Sequence, residues 1–319
     1  MSRPAGGLRW VLAPALVLAT LDGGCKGLRF GAGAPPGSEA AAARDTLAQR
    51  ALDIPTCNGT DLSDRATLYV FELATGATVR GEGLSKPQTE RVVRQGVAAL
   101  CADGAQTAAV LLTCNLVRTP VEDTSGDCAA LQPSVALLAN LPTATLVGGT
   151  DVNDPNGVGS PDAPLTLLGF DERWGLAADA DDLPTRAPDS PEAAADLPGL
   201  EDLDADKHPG VTLTGDGDVP TIVWAARQTR ASLRLGADGR GNLGGRVRAV
   251  TSEVVLGGPA SRAVGERTFE GADDVAVFVR ADGLSGSPRA DANRDGQVTC
   301  IEAAALFNRL PAPPGASCR

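Results

Sequence analysis

The chain has 319 residues, a formal net charge of −12 and one histidine. That acidity excludes a nucleic-acid surface and docking on anionic headgroups, both of which need clustered Lys and Arg. Aromatic residues make up only 3%, while glycines number 38 and prolines 23. This mix suits strands and tight turns better than long packed helices.

Arg3 and Arg9 precede an apolar run from Trp10 to Leu21, which is followed by Gly23, Gly24 and Cys25. A positive flank, a short apolar segment and small residues before a cut are the order of a secretory signal. The run is too short to span a bilayer. The arrangement resembles the lipobox of bacterial lipoproteins, whose Cys becomes the first mature residue and carries lipid. Asp22 departs from that pattern, since the family favours an apolar residue three before the Cys. The resemblance implies lipidation at Cys25 and a membrane partner reached through a lipid anchor. The expected address is the bacterial cell envelope, as an outer-membrane lipoprotein, or the periplasm or exterior if the signal is cut without lipidation. Residues 1–24 are then the signal peptide and 25–55 a tether, Gly-, Ala- and Pro-rich from Gly27 to Glu39. A short Ala-rich helix is expected over Ser38 to Leu52, with Ser38 as its N-cap.

Seven cysteines are present: Cys25, Cys57, Cys101, Cys114, Cys128, Cys300 and Cys318. With Cys25 acylated, six remain for three disulfides in an oxidising compartment. No C-x-x-C occurs, and a lone histidine cannot complete a usual Cys/His zinc site. Cys300 at the start of the last helix is expected to pair with Cys318 in the tail. The other four leave three connectivities open.

Residues 56–150 read as a disulfide-rich α+β part. It has strands at Thr67–Leu73 and Ala108–Val117, with a helix over Lys86–Ala102 opened by Ser85 and Pro87. Residues 151–210 form an acidic, Pro-rich loop segment, with 15 Asp and Glu against Arg173, Arg186 and Lys207. Regular structure there is expected only at Leu165–Phe170. Within this segment Asp202, Asp204 and Asp206 alternate ahead of His208, Pro209, Gly210, Val211 and Thr212. Alternating Asp points toward a cation. Lys207, however, stands where such a loop needs Gly, and no Glu closes it, so the reading is an ordered turn feeding a strand at Val211. The stretch from Leu183 to Gly283 resembles envelope lipoproteins of myxobacteria, which implies class and address but no activity.

Residues 211–283 carry the clearest β pattern and are expected to form one domain with 56–150. Thr221–Arg227 alternates, placing Ile222, Trp224 and Ala226 on one face. Ala231–Leu235 and Leu243–Leu256 flank a Gly-rich turn as a hairpin, and Arg267–Glu270 and Val275–Arg280 complete the set. Gly239, Gly241 and Gly244 match G-x-G-x-x-G, but a dinucleotide site needs a helix after the glycines and here a strand follows. The expected fold is mainly β, an antiparallel sandwich or barrel with a few short helices and a C-terminal calcium loop plus helix.

That loop lies in the last segment, 284–319. Asp291, Asn293 and Asp295 offer oxygens at alternate positions, and Gly296 permits a sharp turn. Gln297 offers its carbonyl, Thr299 reaches directly or through water, and Glu302 closes with two oxygens. Calcium wants this set of six to eight hard oxygens. The order resembles an EF-hand loop, so the implied cofactor is Ca2+. Gly286 and Pro288 leave no room for an entering helix, which makes the segment a half hand like the calcium repeats of dockerins. Those come in pairs, and here there is one. Thr299 and Glu302 also form a capping box for a helix running to Leu310.

Catalytic inventory is thin. His208 is the only histidine, and neither G-x-S-x-G nor H-E-x-x-H occurs. Trp174, Trp224 and Tyr69 are too few for a sugar-stacking cleft. These residues predict a non-catalytic, calcium-binding cell-envelope lipoprotein, with no catalytic residues and calcium ordering the C-terminal segment. The alternatives are a small-ligand-binding β-barrel, or a secreted hydrolase with structural calcium and paired carboxylates roughly 5–9.5 Å apart.

Overall fold

The structure is a computed structural model and describes residues 39–55, 57, 66–81, 88–103, 106–122, 131–149, 165–180, 183–184, 197–215, 221–258 and 265–310. In chain order the elements are α1 (Glu39–Gln49), β1 (Ala51–Asp53), β2 (Thr67–Gly81), β3 (Gln88–Asp103), β4 (Gln106–Glu122), β5 (Gln132–Pro133), α2 (Val135–Asn140), β6 (Ala144–Gly149), β7 (Leu165–Trp174), β8 (Val211–Gly215), β9 (Thr221–Ala237), β10 (Leu243–Gly257), β11 (Gly265–Arg280), β12 (Gln297–Thr299) and α3 (Cys300–Ala304), followed by a 3-10 turn at Phe307–Arg309.

Eight of these strands close an antiparallel barrel in the order β2-β3-β4-β6-β7-β9-β10-β11, with β11 returning to β2 through the register Arg280↔Tyr69. Closure removes the free edges that an open sheet would expose, and it settles barrel over sandwich. Residues 56–150 and 211–283 therefore share one sheet. β7 is a wall strand of it, so the acidic segment is not all loop. β7 ends with Trp174 opposite Arg227, and β8 takes over the same edge of β9 with Val211 opposite Ala225. The wall is thus left after Trp174 and rejoined at Val211, at one point of β9. The chain crosses itself there closely enough that a Cβ on Gly175 would lie 2.4 Å from Gly210 Cα, and both glycines have positive φ, +67° and +83°. Only glycine fits that crossing without strain. Below β6 the wall continues through β5, which pairs with β8. The Gln132 side chain bonds both the N–H and the carbonyl of Arg118 in β4.

Side chains fill the lumen, as an eight-stranded barrel requires. One half is apolar, with Phe71, Leu146, Leu167, Phe170, Leu233 and Phe278 all buried. The other half holds buried ions. Arg94 lies 2.6 Å from Glu172, and Arg118 and Arg227 share Glu90 at 2.6 and 2.9 Å and Glu253 at 3.3 Å each. Trp174 donates to Glu172 at 3.1 Å, and its ring lies 4.9 Å from the Arg227 guanidinium carbon. Three arginines and three glutamates balance one another here, because a buried charge without a partner would be very costly. Burial pushes the Glu90 carboxyl up, but Arg118 and Arg227 more than offset it and hold it at about 2. Arg118 feels the converse: burial pulls it down, and Glu90 and Glu253 hold it above its ordinary value.

The outer face of β2–β4 is covered as well. Val70, Val97, Ala99 and Leu112 pack in one cluster with Leu47 of α1 and with Val298, Ala303 and Phe307 of the C-terminal segment. Arg50, just past α1, donates to the carbonyls of Leu138 and Leu141 at the end of α2. These contacts correct several expectations. Residues 39–55 are docked structure rather than tether, since Leu47 and Leu52 are buried. Ser38, the expected cap, lies outside the described residues. Lys86–Ala102 is not helical. Its part from Gln88 is β3, and residues 91–100 are buried throughout because the lumen takes one face and the cover the other. A strand buried on both faces loses its alternation and mimics a helical apolar stripe. Arg267–Glu270 and Val275–Arg280 are one strand, β11, irregular between Ala272 and Val275. The 239–244 glycines do form the expected hairpin turn, with Asp238 accepting from the N–H groups of Arg240 and Asn242 at 2.8 and 2.9 Å before β10 begins.

The lumen makes the fold acid-sensitive. The Glu90 carboxyl sits below its ordinary value of 4.5 in the folded state, so its stabilisation is complete above that pH and is lost as pH falls toward 2. Urea midpoints from pH 7 to pH 2 should fall along that limb in wild type. Glu90→Gln should lower the midpoint at pH 7, reflecting a loss of ~3 kcal/mol or more in unfolding free energy, and flatten the limb. Parallel curves for the two proteins would contradict this role.

Candidate metal centre

Between β11 and the C-terminal loop, residues 281–290 form a tight return rather than a helix. Ala290 N–H donates to Ala281 O at 2.7 Å, and a turn spans Leu284–Ser287. The expected half hand thus has no entering helix. The loop itself is tightly bonded. Asp291 is only 4% exposed, and its Oδ2 accepts the Gly296 N–H at 3.3 Å. Its Oδ1 is buried without a hydrogen-bond partner. Asn293 Oδ1 accepts from Asp295 N–H at 3.0 Å, and Asp295 Oδ1 from Gln297 N–H at 2.9 Å. Arg294 and Gly296 take left-handed φ values of 65° and 89°, a path easy for glycine and uncommon for arginine. Glu302 joins the two ends of the loop: Oε1 accepts from Ala292 N–H at 3.2 Å, and Oε2 from Thr299 N–H at 2.9 Å and Thr299 Oγ1 at 2.8 Å. The capping box expected at Thr299 and Glu302 is present and starts α3.

The extended part of the loop does two jobs. Val298 and Cys300 are both 0% exposed and face the barrel, leaving half-buried Thr299 between them. Its backbone pairs with β1 in the register Ala51↔Thr299, Leu52↔Val298, Asp53↔Gln297. Ile54 N–H donates to Gly296 O at 3.0 Å and Cys300 N–H to Arg50 O at 2.9 Å, while the Gln297 amide donates to Asp53 Oδ1 at 2.8 Å. A loop without a second hand has therefore gained a partner strand from the other end of the chain. Sequence reasoning missed this, because three residues, Ala51–Asp53, carry no periodic signal.

Among the described residues two disulfides are formed, Cys57–Cys101 and Cys114–Cys300. The second corrects the expected Cys300–Cys318 pairing. Cys300 follows Val298 onto the barrel-facing side, where Cys114 waits, fully buried, at an irregularity of β4. Cys25, Cys128 and Cys318 lie outside the described residues. Bonds of this kind belong to an extracellular or periplasmic compartment. No helix among the described residues is long and apolar enough to cross a membrane.

The second Asp-rich run is also ordered. Among the described residues, Asp202, Asp204 and Asp206 are the acidic group in which one oxygen of each lies within 4.8 Å of the others; Asp291, Asp295 and Glu302 do not form such a group. Burial, with Asp206 and Asp202 beside it, pushes the Asp204 carboxyl up to about 6, against hydrogen bonds from Thr212 and Ser134. His208 is stacked on Trp224, ring centroids 4.2 Å apart.

No protein-family model, curated protein or solved structure matches this chain.

Proposed function

We propose that this chain is a non-catalytic, calcium-binding lipoprotein of the cell envelope, in which calcium held by the 291–302 loop fastens both chain ends to the barrel. The observation that carries this reading is Asp291 Oδ1, a buried carboxylate oxygen without a donor in a loop whose ligand order suits a hard cation. Burying such an oxygen unpaired is unfavourable, and calcium would remove that penalty. Asp291, Asn293, Asp295 and Glu302 would hold the ion by side-chain oxygens and Gln297 by its carbonyl, with Thr299 completing the set. The bound ion would supply charge compensation and no chemistry.

Two features support a structural role over the alternatives. The barrel interior is occupied by its own side chains, which leaves a lipocalin-like cavity without support. The lumen carboxylates Glu90, Glu172 and Glu253 are each held by arginine, an arrangement suited to neutral packing rather than to proton transfer.

The pairing with β1 and the Cys114–Cys300 bond pre-organise the loop, so the affinity should lie at the tighter end of the extracellular range, on the order of 10⁻⁴ M. At 1 mM calcium that gives about 1.4 kcal/mol. On oxidised mature protein, calorimetric titration should find this event in wild type and not in Glu302→Ala, while calcium slows proteolysis within 281–310 only in wild type. Equal calcium binding and equal cleavage in the two proteins would reduce the loop to a turn.

The anchor is tested separately. Cys25 should be found acylated by mass spectrometry of the mature N-terminus, and Cys25→Ser should leave the membrane fraction, because two or three acyl chains at ~0.8 kcal/mol per methylene anchor stably. A mature N-terminus elsewhere, with Cys25 removed or bearing a free thiol, would end that part of the reading.

A further inference from the structure

In the 202–212 run Lys207 occupies the place of a glycine and no Glu closes the loop. The backbone removes the first of these objections. Ala205 and Lys207 take φ values of 56° and 70°, matching Arg294 and Gly296 at 65° and 89°. Asp202 Oδ2 accepts the Lys207 N–H at 2.7 Å as Asp291 Oδ2 accepts that of Gly296, and Asp206 Oδ1 accepts from His208 N–H at 2.9 Å as Asp295 does from Gln297. Asp202–Lys207 and Asp291–Gly296 share these turns and differ in one bond, the Asp206 N–H going to Asp202 Oδ1 at 3.1 Å and the Asp295 N–H to Asn293 Oδ1 at 3.0 Å.

Loop geometry alone is no site, but Asp204 adds an independent observation. It is 4% exposed. Its Oδ2 is taken by Ser134 Oγ at 3.0 Å and Thr212 N–H at 2.9 Å, and its Oδ1 is buried with no partner. The three carboxylates crowd within 4.8 Å, and among the described residues no Lys or Arg pairs with any of them. Three like charges held together with an unsatisfied buried oxygen call for a cation between them. The donors are oxygens only, because the groups that come together are three carboxylates, without His208. That selects a hard ion, calcium, over zinc.

We propose that Asp202, Asp204 and Asp206 form a second calcium site, separate from the 291–302 loop. Its position gives it a task. Asp204 is bonded to Ser134, the N-cap of α2, and to Thr212 in β8. An ion there fixes the point where the 175–210 excursion re-enters the barrel wall.

The test counts calcium ions on the full oxidised mature chain by calorimetry, in wild type, Glu302→Ala, Asp204→Asn and the double variant. The expected counts are two, one, one and none. Terbium provides a second readout: Trp224, stacked on His208, should sensitise it in wild type and Glu302→Ala, with the apparent affinity weakened at least about tenfold in Asp204→Asn, or ~1.4 kcal/mol. Should Asp204→Asn fold poorly by circular dichroism, the less buried Asp206→Asn replaces it with the same expectation. A single site in wild type that Glu302→Ala abolishes would overturn this proposal and leave the C-terminal loop standing. A single site that survives Glu302→Ala and disappears in Asp204→Asn would do the reverse.

Discussion

Over residues 68–76, 91–100 and 111–114 the wall formed by β2, β3 and β4 is buried on both faces, and the rest of the molecule follows from that constraint. Closing eight strands into a barrel directs one face of every strand into a lumen. Where the lumen holds ions they must cancel, and Arg94, Arg118 and Arg227 against Glu90, Glu172 and Glu253 do so. The opposite face of β2–β4 is equally apolar, with Val70, Val97 and Leu112 needing cover. α1 and the C-terminal segment provide it. The barrel therefore needs both chain ends in place to bury its own surface.

That need explains the construction around the 291–302 loop. A twelve-residue turn of charged and small residues has little apolar area of its own to hold it on a wall. Val298 and Cys300 supply the inward contacts, and the Cys114–Cys300 bond closes across a sequence separation of 186 residues. β1 then pairs with β12, so the N-terminal and C-terminal covers are stitched to each other as well as to the barrel. Calcium, if held there as proposed, would be the last element of the clamp, relieving a buried oxygen on Asp291 and stiffening the strand that β1 pairs with.

Legibility in the sequence divided along physical lines. The ligand order Asp291-x-Asn293-x-Asp295-Gly296 and the Thr299–Glu302 box depend on near neighbours, and both the backbone path and the capping box could be read from spacing. The β9–β10 hairpin was legible for the same reason, since the turn chemistry at Asp238–Asn242 is local. β3 was not, because burial on both faces erased the alternation that marks a strand. The Cys114 partner of Cys300 was invisible, as pairing over that distance is set by the fold. The left-handed backbone at Lys207 was not legible either: its N–H donates to Asp202 and the next N–H, of His208, to Asp206, which holds a lysine in a conformation that propensity alone would assign to glycine.

The coupling of the loop to β1 is the claim on which the account turns, and amide hydrogen exchange of the oxidised protein with and without calcium tests it most directly. The Ile54 and Cys300 amides donate across the β1–β12 pair to Gly296 O and Arg50 O. Calcium should raise the protection of both by similar factors, while amides in the β9–β10 hairpin stay unchanged. Slowing confined to 291–302, with Ile54 exchanging at its calcium-free rate, would contradict this coupling.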